Sequence, residues 1–143
     1  MMSRGMRKMK FKQLKAMILS AVIIGTTAVT AMAVTDSFWI GVYYSTEGYQ
    51  AGSQVTKNSG SNQGKVKITY SNWINLATNF IICQPGSGTQ LSTNVVVPHS
   101  DQSYKAIPYY SQYVGTRLTT VLRANSAQAQ ANYTIGGKWS PNP

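Results

Sequence analysis

Acidic residues, thiols and imidazole are all scarce in this 143-residue chain. Three residues are acidic (Asp36, Glu47, Asp101), one is histidine (His99) and one is cysteine (Cys83), against 13 Lys and Arg. A single cysteine excludes an internal disulfide, so packing and hydrogen bonding must hold the fold. Its neighbours in Phe80-Ile-Ile-Cys83 are apolar, which predicts a buried, inert thiol over one that links two chains. Zinc asks for three or four ligands and calcium for several oxygens, and this inventory has no paired spacing for either. Sugar hydrolysis by two carboxylates would need two of three distant acids to meet across a cleft.

His99 and Asp101 sit two apart beside Ser100. A base oriented by a carboxylate, with Ser100 or Cys83 as nucleophile, depends on a spatial meeting that this spacing does not supply. Pro98-His-Ser-Asp101 reads more simply as a polar turn. No enzyme activity, cofactor or metal is expected.

What the chain does have begins at its N-terminus. Arg4, Arg7, Lys8, Lys10, Lys12 and Lys15 precede the apolar run 16–25, and a Thr/Ala-rich stretch then closes on Ala31-Met-Ala33. Basic, apolar and small-x-small segments in that order predict a secretory signal peptide over residues 1–33, with Ala31 and Ala33 read by the peptidase. The apolar core is short for a membrane span. With no Arg-Arg pair, the general secretory route is favoured. A secreted, extracellular product follows, touching the membrane only through this leader.

Residues 34–143 then form one domain. They keep seven of the basic residues and all three acids, a net of +4. Those seven are spread along the sequence, with only Lys65 and Lys67 on one predicted strand face, so no nucleic-acid footprint is expected.

Alternating runs punctuated by turn residues fill the domain. Phe38, Ile40, Val42 and Tyr44 share one face. Lys65-Val-Lys-Ile-Thr-Tyr70 sends Val66, Ile68 and Tyr70 inward. Residues 79–83, apolar on both faces, suit a central strand. Further runs appear at 91–97, 103–107, 116–124 and 133–139, and Gly136-Gly137 allows a bulge. The segment 48–64 reads as a loop with at most a short strand at 54–57, and 126–132 as a helical turn or hairpin tip. Six to eight short strands with turns every 8–12 residues predict an all-β fold, a small antiparallel β-sandwich.

Aromatic residues are the better-stocked resource. Trp139 and Tyr70 are expected in the core. Tyr43, Tyr49, Tyr109, Tyr110 and Tyr113 are harder to bury together, and Tyr mixed with Asn, Gln and Ser makes an adaptable contact surface. Tyr109, Tyr110 and Tyr113 are therefore the candidate ligand-binding residues, for a cell-wall or other extracellular ligand.

The openings Trp39-Ile-Gly-Val-Tyr-Tyr44 and Lys65-Val-Lys-Ile-Thr-Tyr70, with Gly137-Lys-Trp139 near the end, resemble small secreted β-domain proteins of Bacillus-type Gram-positive bacteria. The resemblance implies a β fold outside the cell and no particular activity. The leading expectation is a secreted, non-enzymatic binding protein. The alternative is a bacteriocin-like antibacterial protein, similar in charge and export to the sandwich bacteriocin of lactococci. The leader reading predicts that the secreted product begins at Val34 and that Ala33→Phe leaves the precursor unprocessed, which intact-mass measurement of the exported protein checks.

Overall fold

A computed structural model describes residues 34–128 and 131–143. The leader expected at 1–33, with Ala31 and Ala33, lies outside them. The described residues make one compact unit.

Eight strands run in the order β1 (Asp36–Val42), β2 (Tyr49–Lys57), β3 (Gln63–Ser71), β4 (Ala77–Cys83), β5 (Val95–Pro98), β6 (Lys105–Pro108), β7 (Leu118–Ser126) and β8 (Tyr133–Ser140). One turn of 3-10 helix, Ser111–Tyr113, precedes β7. They form two antiparallel sheets, ordered β1-β8-β3-β6 and β2-β7-β4-β5. The pairs β4–β5, β3–β6, β2–β7 and β1–β8 are all hydrogen-bonded. The chain is thus one long nested hairpin wrapped around itself, the eight-stranded jelly-roll form of the β-sandwich.

Alternation explains which side chains lie between the sheets. Phe38 and Val42 of β1, Val66 and Ile68 of β3, and Ile135 and Trp139 of β8 point inward from the first sheet. Phe80 and Ile82 of β4 and Leu122 and Ala124 of β7 meet them from the second. The rings of Phe38 and Phe80 lie 5.9 Å apart across the interface. As the apolar run predicted, β4 is an interior strand, between β7 and β5.

Several local expectations are corrected by irregular pairing. The segment around 49–57 is a full strand, not a loop with a short strand inside it. Its register shifts between Ala51 and Val55, where it faces only Leu122 to Thr120 of β7. Gly52, at φ +76°, permits that bulge, and an added Cβ there would strike the Asp36 carboxylate. Bulge residues of Gly and Ser carry no strand signature, which hid the strand.

Tyr70 is exposed, not core. The bulge expected at Gly136-Gly137 falls on the opposite strand: Ile68 pairs with Gly137 and Tyr70 with Gly136, leaving Thr69 as the extra residue. One inserted residue reverses the alternation, so Tyr70 turns to the outer face. Tyr44 is also exposed, because β1 stops at Val42. The run 91–97 is strand only from Val95, and the hairpin tip near 126–132 includes Ala129 and Gln130, which lie outside the described residues.

The ends of the fold are held by buried polar groups. Lys57 is fully buried, and its ammonium donates to the carbonyls of Asn58 (3.1 Å), Val114 (3.1 Å) and Thr116 (2.9 Å). All three of its protons are thereby used. The Tyr109 ring lies 4.8 Å from the ammonium. Burial still lowers the Lys57 pKa. Nearby, the Asn142 side-chain oxygen accepts from Asn58 N (2.8 Å) and Ser61 Oγ (2.5 Å). Together these fasten β2, the 3-10 turn and the tail after β8.

Lys57→Ala should cost about 2–4 kcal/mol, because three carbonyls lose their donor out of reach of water. Lys57→Met should cost less, since the stem still packs. Urea unfolding of the three proteins measures both.

Candidate functional site

A well-defined recess lies on the outer face of the β2-β7-β4-β5 sheet. Alternation there turns Asn79 and Ile81 of β4 and Arg123 and Asn125 of β7 away from the core. The register sets Asn79 beside Asn125 and Ile81 beside Arg123. Two loops rise around this floor. The β1–β2 loop is pinned over it by Asn125 Nδ2 donating to Ser45 O (2.5 Å) and Arg123 Nη1 donating to Glu47 O (3.2 Å). The β4–β5 loop is closed by Gln84 N donating to Thr89 O (2.8 Å) and brings Gln90 to the rim.

Two adjoining hollows result, of about 170 and 370 Å³. They share Thr46, Glu47, Ile81, Gln90 and Arg123, so they form one cleft with Arg123 at its middle. Four amides contribute to its lining: Asn79, Asn94, Asn125 and Gln90. Two of its polar atoms, Asn79 Oδ1 and Arg123 Nε, are shielded from solvent and have no hydrogen-bond partner among the described residues. Such groups are costly to bury unless something else bonds them. Cys83 lies in the floor of the larger hollow, buried. Burial raises its thiol pKa, against a smaller opposing pull from Arg123, so it stays protonated at neutral pH and is a poor nucleophile.

The tyrosines picked out by the sequence separate. Tyr109 is buried, donating its hydroxyl to Pro141 O (2.7 Å) while its ring covers Lys57. Burial pushes its pKa well above the usual phenol range. Tyr113 is half-buried and packs against the core. Tyr110 is exposed and stands at the edge of the cleft, where its hydroxyl accepts from Gln90 Nε2 (3.1 Å). Only one of the three therefore presents its ring near the cleft. The amides were missed because Asn and Gln read as turn residues in sequence. Their one available signal was the polar residues at the outward positions 79, 123 and 125, beside apolar inward neighbours Phe80, Leu122 and Ala124.

His99 and Asp101 do not meet in a catalytic pair. Asp101 accepts from Ser103 N (2.9 Å) and Ser103 Oγ (2.6 Å) and pairs with Lys105 (2.5 Å). Lys105 first, then Ser103, hold its carboxyl far below the usual range. The turn reading of this segment fits those bonds. His99 is buried, with Nδ1 at 2.7 Å from Trp73 O, an atom that only accepts. Nδ1 therefore carries the proton of the neutral ring, and Nε2 accepts from Thr78 Oγ1 (2.8 Å). Thr78 in turn accepts from the Tyr133 hydroxyl (2.6 Å). This is a closed structural network, with both nitrogens committed. No cluster of three or more His, Cys, Asp or Glu arranged for a metal occurs among the described residues.

Burial lowers the His99 pKa from its ordinary 6.5, against a smaller opposing effect of the Trp73 carbonyl. The unfolded chain then binds the proton more readily, so this stabilisation is complete above pH 6.5 and is lost as pH falls through the folded value. His99 is the one histidine in the chain. Thermal melts between about pH 7.5 and pH 5 should show a falling midpoint, and His99→Gln should flatten that slope. Comparison with protein-family models, with curated proteins and with solved structures finds no match, so the site is read from its own geometry.

Proposed function

We propose that this chain is a secreted, non-enzymatic binding protein whose cleft takes a neutral polyhydroxylated ligand, a carbohydrate outside the cell. The observation that carries the reading is the gathering of four amides, Asn79, Asn94, Asn125 and Gln90, around Arg123 in one cleft, where Asn79 Oδ1 and Arg123 Nε have no partner among the described residues. Each amide both donates and accepts, which matches the alternating donors and acceptors of vicinal hydroxyls. Arg123 and Glu47 are the cleft's two charged residues and cancel, so a charged ligand gains little there. Tyr110 extends the rim with a ring on which a sugar could stack. A protonated Cys83 and a lone carboxylate leave the site without an acid–base pair, which fits binding over turnover.

Titration of the 34–143 domain with neutral cell-wall and plant oligosaccharides tests this by calorimetry. Binding should be insensitive to salt, and Asn79→Ala or Arg123→Gln should each weaken it about 10-fold or more, by loss of a hydrogen bond in a desolvated site. A folded domain that binds no neutral saccharide would overturn the reading.

A further inference from the structure

The outer face of the other sheet has a different character. Lys67 of β3 stands directly across from Lys138 of β8 in the antiparallel register. Like charges in that relation repel. Lys65 lies two residues along, and both Lys65 and Lys67 hold their ammoniums over one ring, that of Tyr104, at 5.2 and 4.7 Å. Three cations spread along the sequence are thus gathered on one surface.

No carboxylate answers them. Of the chain's three acids, Asp36 accepts from Ser53 N, Glu47 lies in the cleft of the opposite sheet, and Asp101 pairs with Lys105. Beside the lysines, Trp39 and Tyr70 converge over Gly136, which pairs with both. A side chain at Gly136 would collide with the Trp39 ring. The two rings stack at 4.4 Å, and Trp39 remains 64% exposed. An indole stacked on phenol, left in solvent beside unpaired lysines, is the chemistry of a bilayer's headgroup layer: amphipathic rings at the apolar boundary, ammoniums on the phosphates. A soluble polyanion would engage the lysines and leave Trp39 and Tyr70 unused.

We propose that this face, built from Lys65, Lys67, Lys138, Trp39 and Tyr70, docks the domain on an anionic phospholipid surface. The inference does not rest on the cleft, which lies on the opposite side of the sandwich.

Sedimentation of the 34–143 domain with vesicles of phosphatidylcholine, with and without phosphatidylglycerol, tests it, at low and high salt. Binding should require phosphatidylglycerol and weaken in salt. Each Lys→Gln substitution should lower it about fivefold, and the Lys65→Gln/Lys67→Gln/Lys138→Gln combination on the order of 100-fold. Trp39→Ser should weaken it several-fold with all lysines intact, and the blue shift of tryptophan emission on binding should be lost with it. These side chains face solvent, and near-ultraviolet circular dichroism verifies that each variant keeps its packing. Asn79→Ala should leave vesicle binding unchanged, which separates this face from the cleft. Failure to bind phosphatidylglycerol vesicles overturns the proposal. So does binding that ignores the lysines. Binding that ignores Trp39→Ser and is displaced by inorganic polyphosphate overturns it too, and assigns the face to a soluble polyanion.

Discussion

For two residues in the middle of the first sheet, strand β8 has no side chain. Gly137 leaves room inward, where a Cβ would collide with the Phe38 ring and the Lys67 carbonyl. Gly136 leaves room outward, where Trp39 and Tyr70 meet. Phe38 can then reach Phe80 of the opposite sheet, so this aromatic contact between the two layers depends on that gap. Opposite the same glycines β3 takes in Thr69 as an extra residue, which turns Tyr70 from the core to the surface. Core packing and the aromatic pair outside are two consequences of one missing pair of side chains.

A chain without disulfides must close its ends another way, and here polar groups do so from within. The Lys57 ammonium and the Asn142 amide each bind several backbone groups from distant segments. Burial of a charge is tolerable because every proton on it has an acceptor and an aromatic ring faces it. Tyr109 belongs to this arrangement, as its ring covers the ammonium and its hydroxyl reaches Pro141. His99 does comparable work at another corner, where it links Trp73, Thr78 and, through Thr78, Tyr133. Residues with chemical potential in a sequence are here spent on holding loops to strands.

That leaves the two outer faces as the surfaces with something unspent. One carries amides and one residue of each charge, with two shielded atoms that have no partner among the described residues; the other carries unanswered lysines beside exposed rings. Because the sheets lie back to back, these faces point in opposite directions. A domain that settles on a charged surface with one face and offers a polar cleft with the other would combine both proposals without steric conflict.

Much of the fold was legible in the chain itself. Period-two alternation, abundant β-branched and aromatic residues and frequent turn residues determined an all-β sandwich, and the apolar 79–83 run determined an interior strand. The scarcity of acids, thiols and imidazole determined how little reactive chemistry any site could assemble. What the sequence could not carry is register and proximity. A single inserted residue at Thr69 moved Tyr70 outside, and pairing across strands brought Lys67 to Lys138 and Asn79 to Asn125. Local pattern states which side of its own strand a residue takes. Only the nested hairpin, closing over separations of tens of residues, decides which residues share that side.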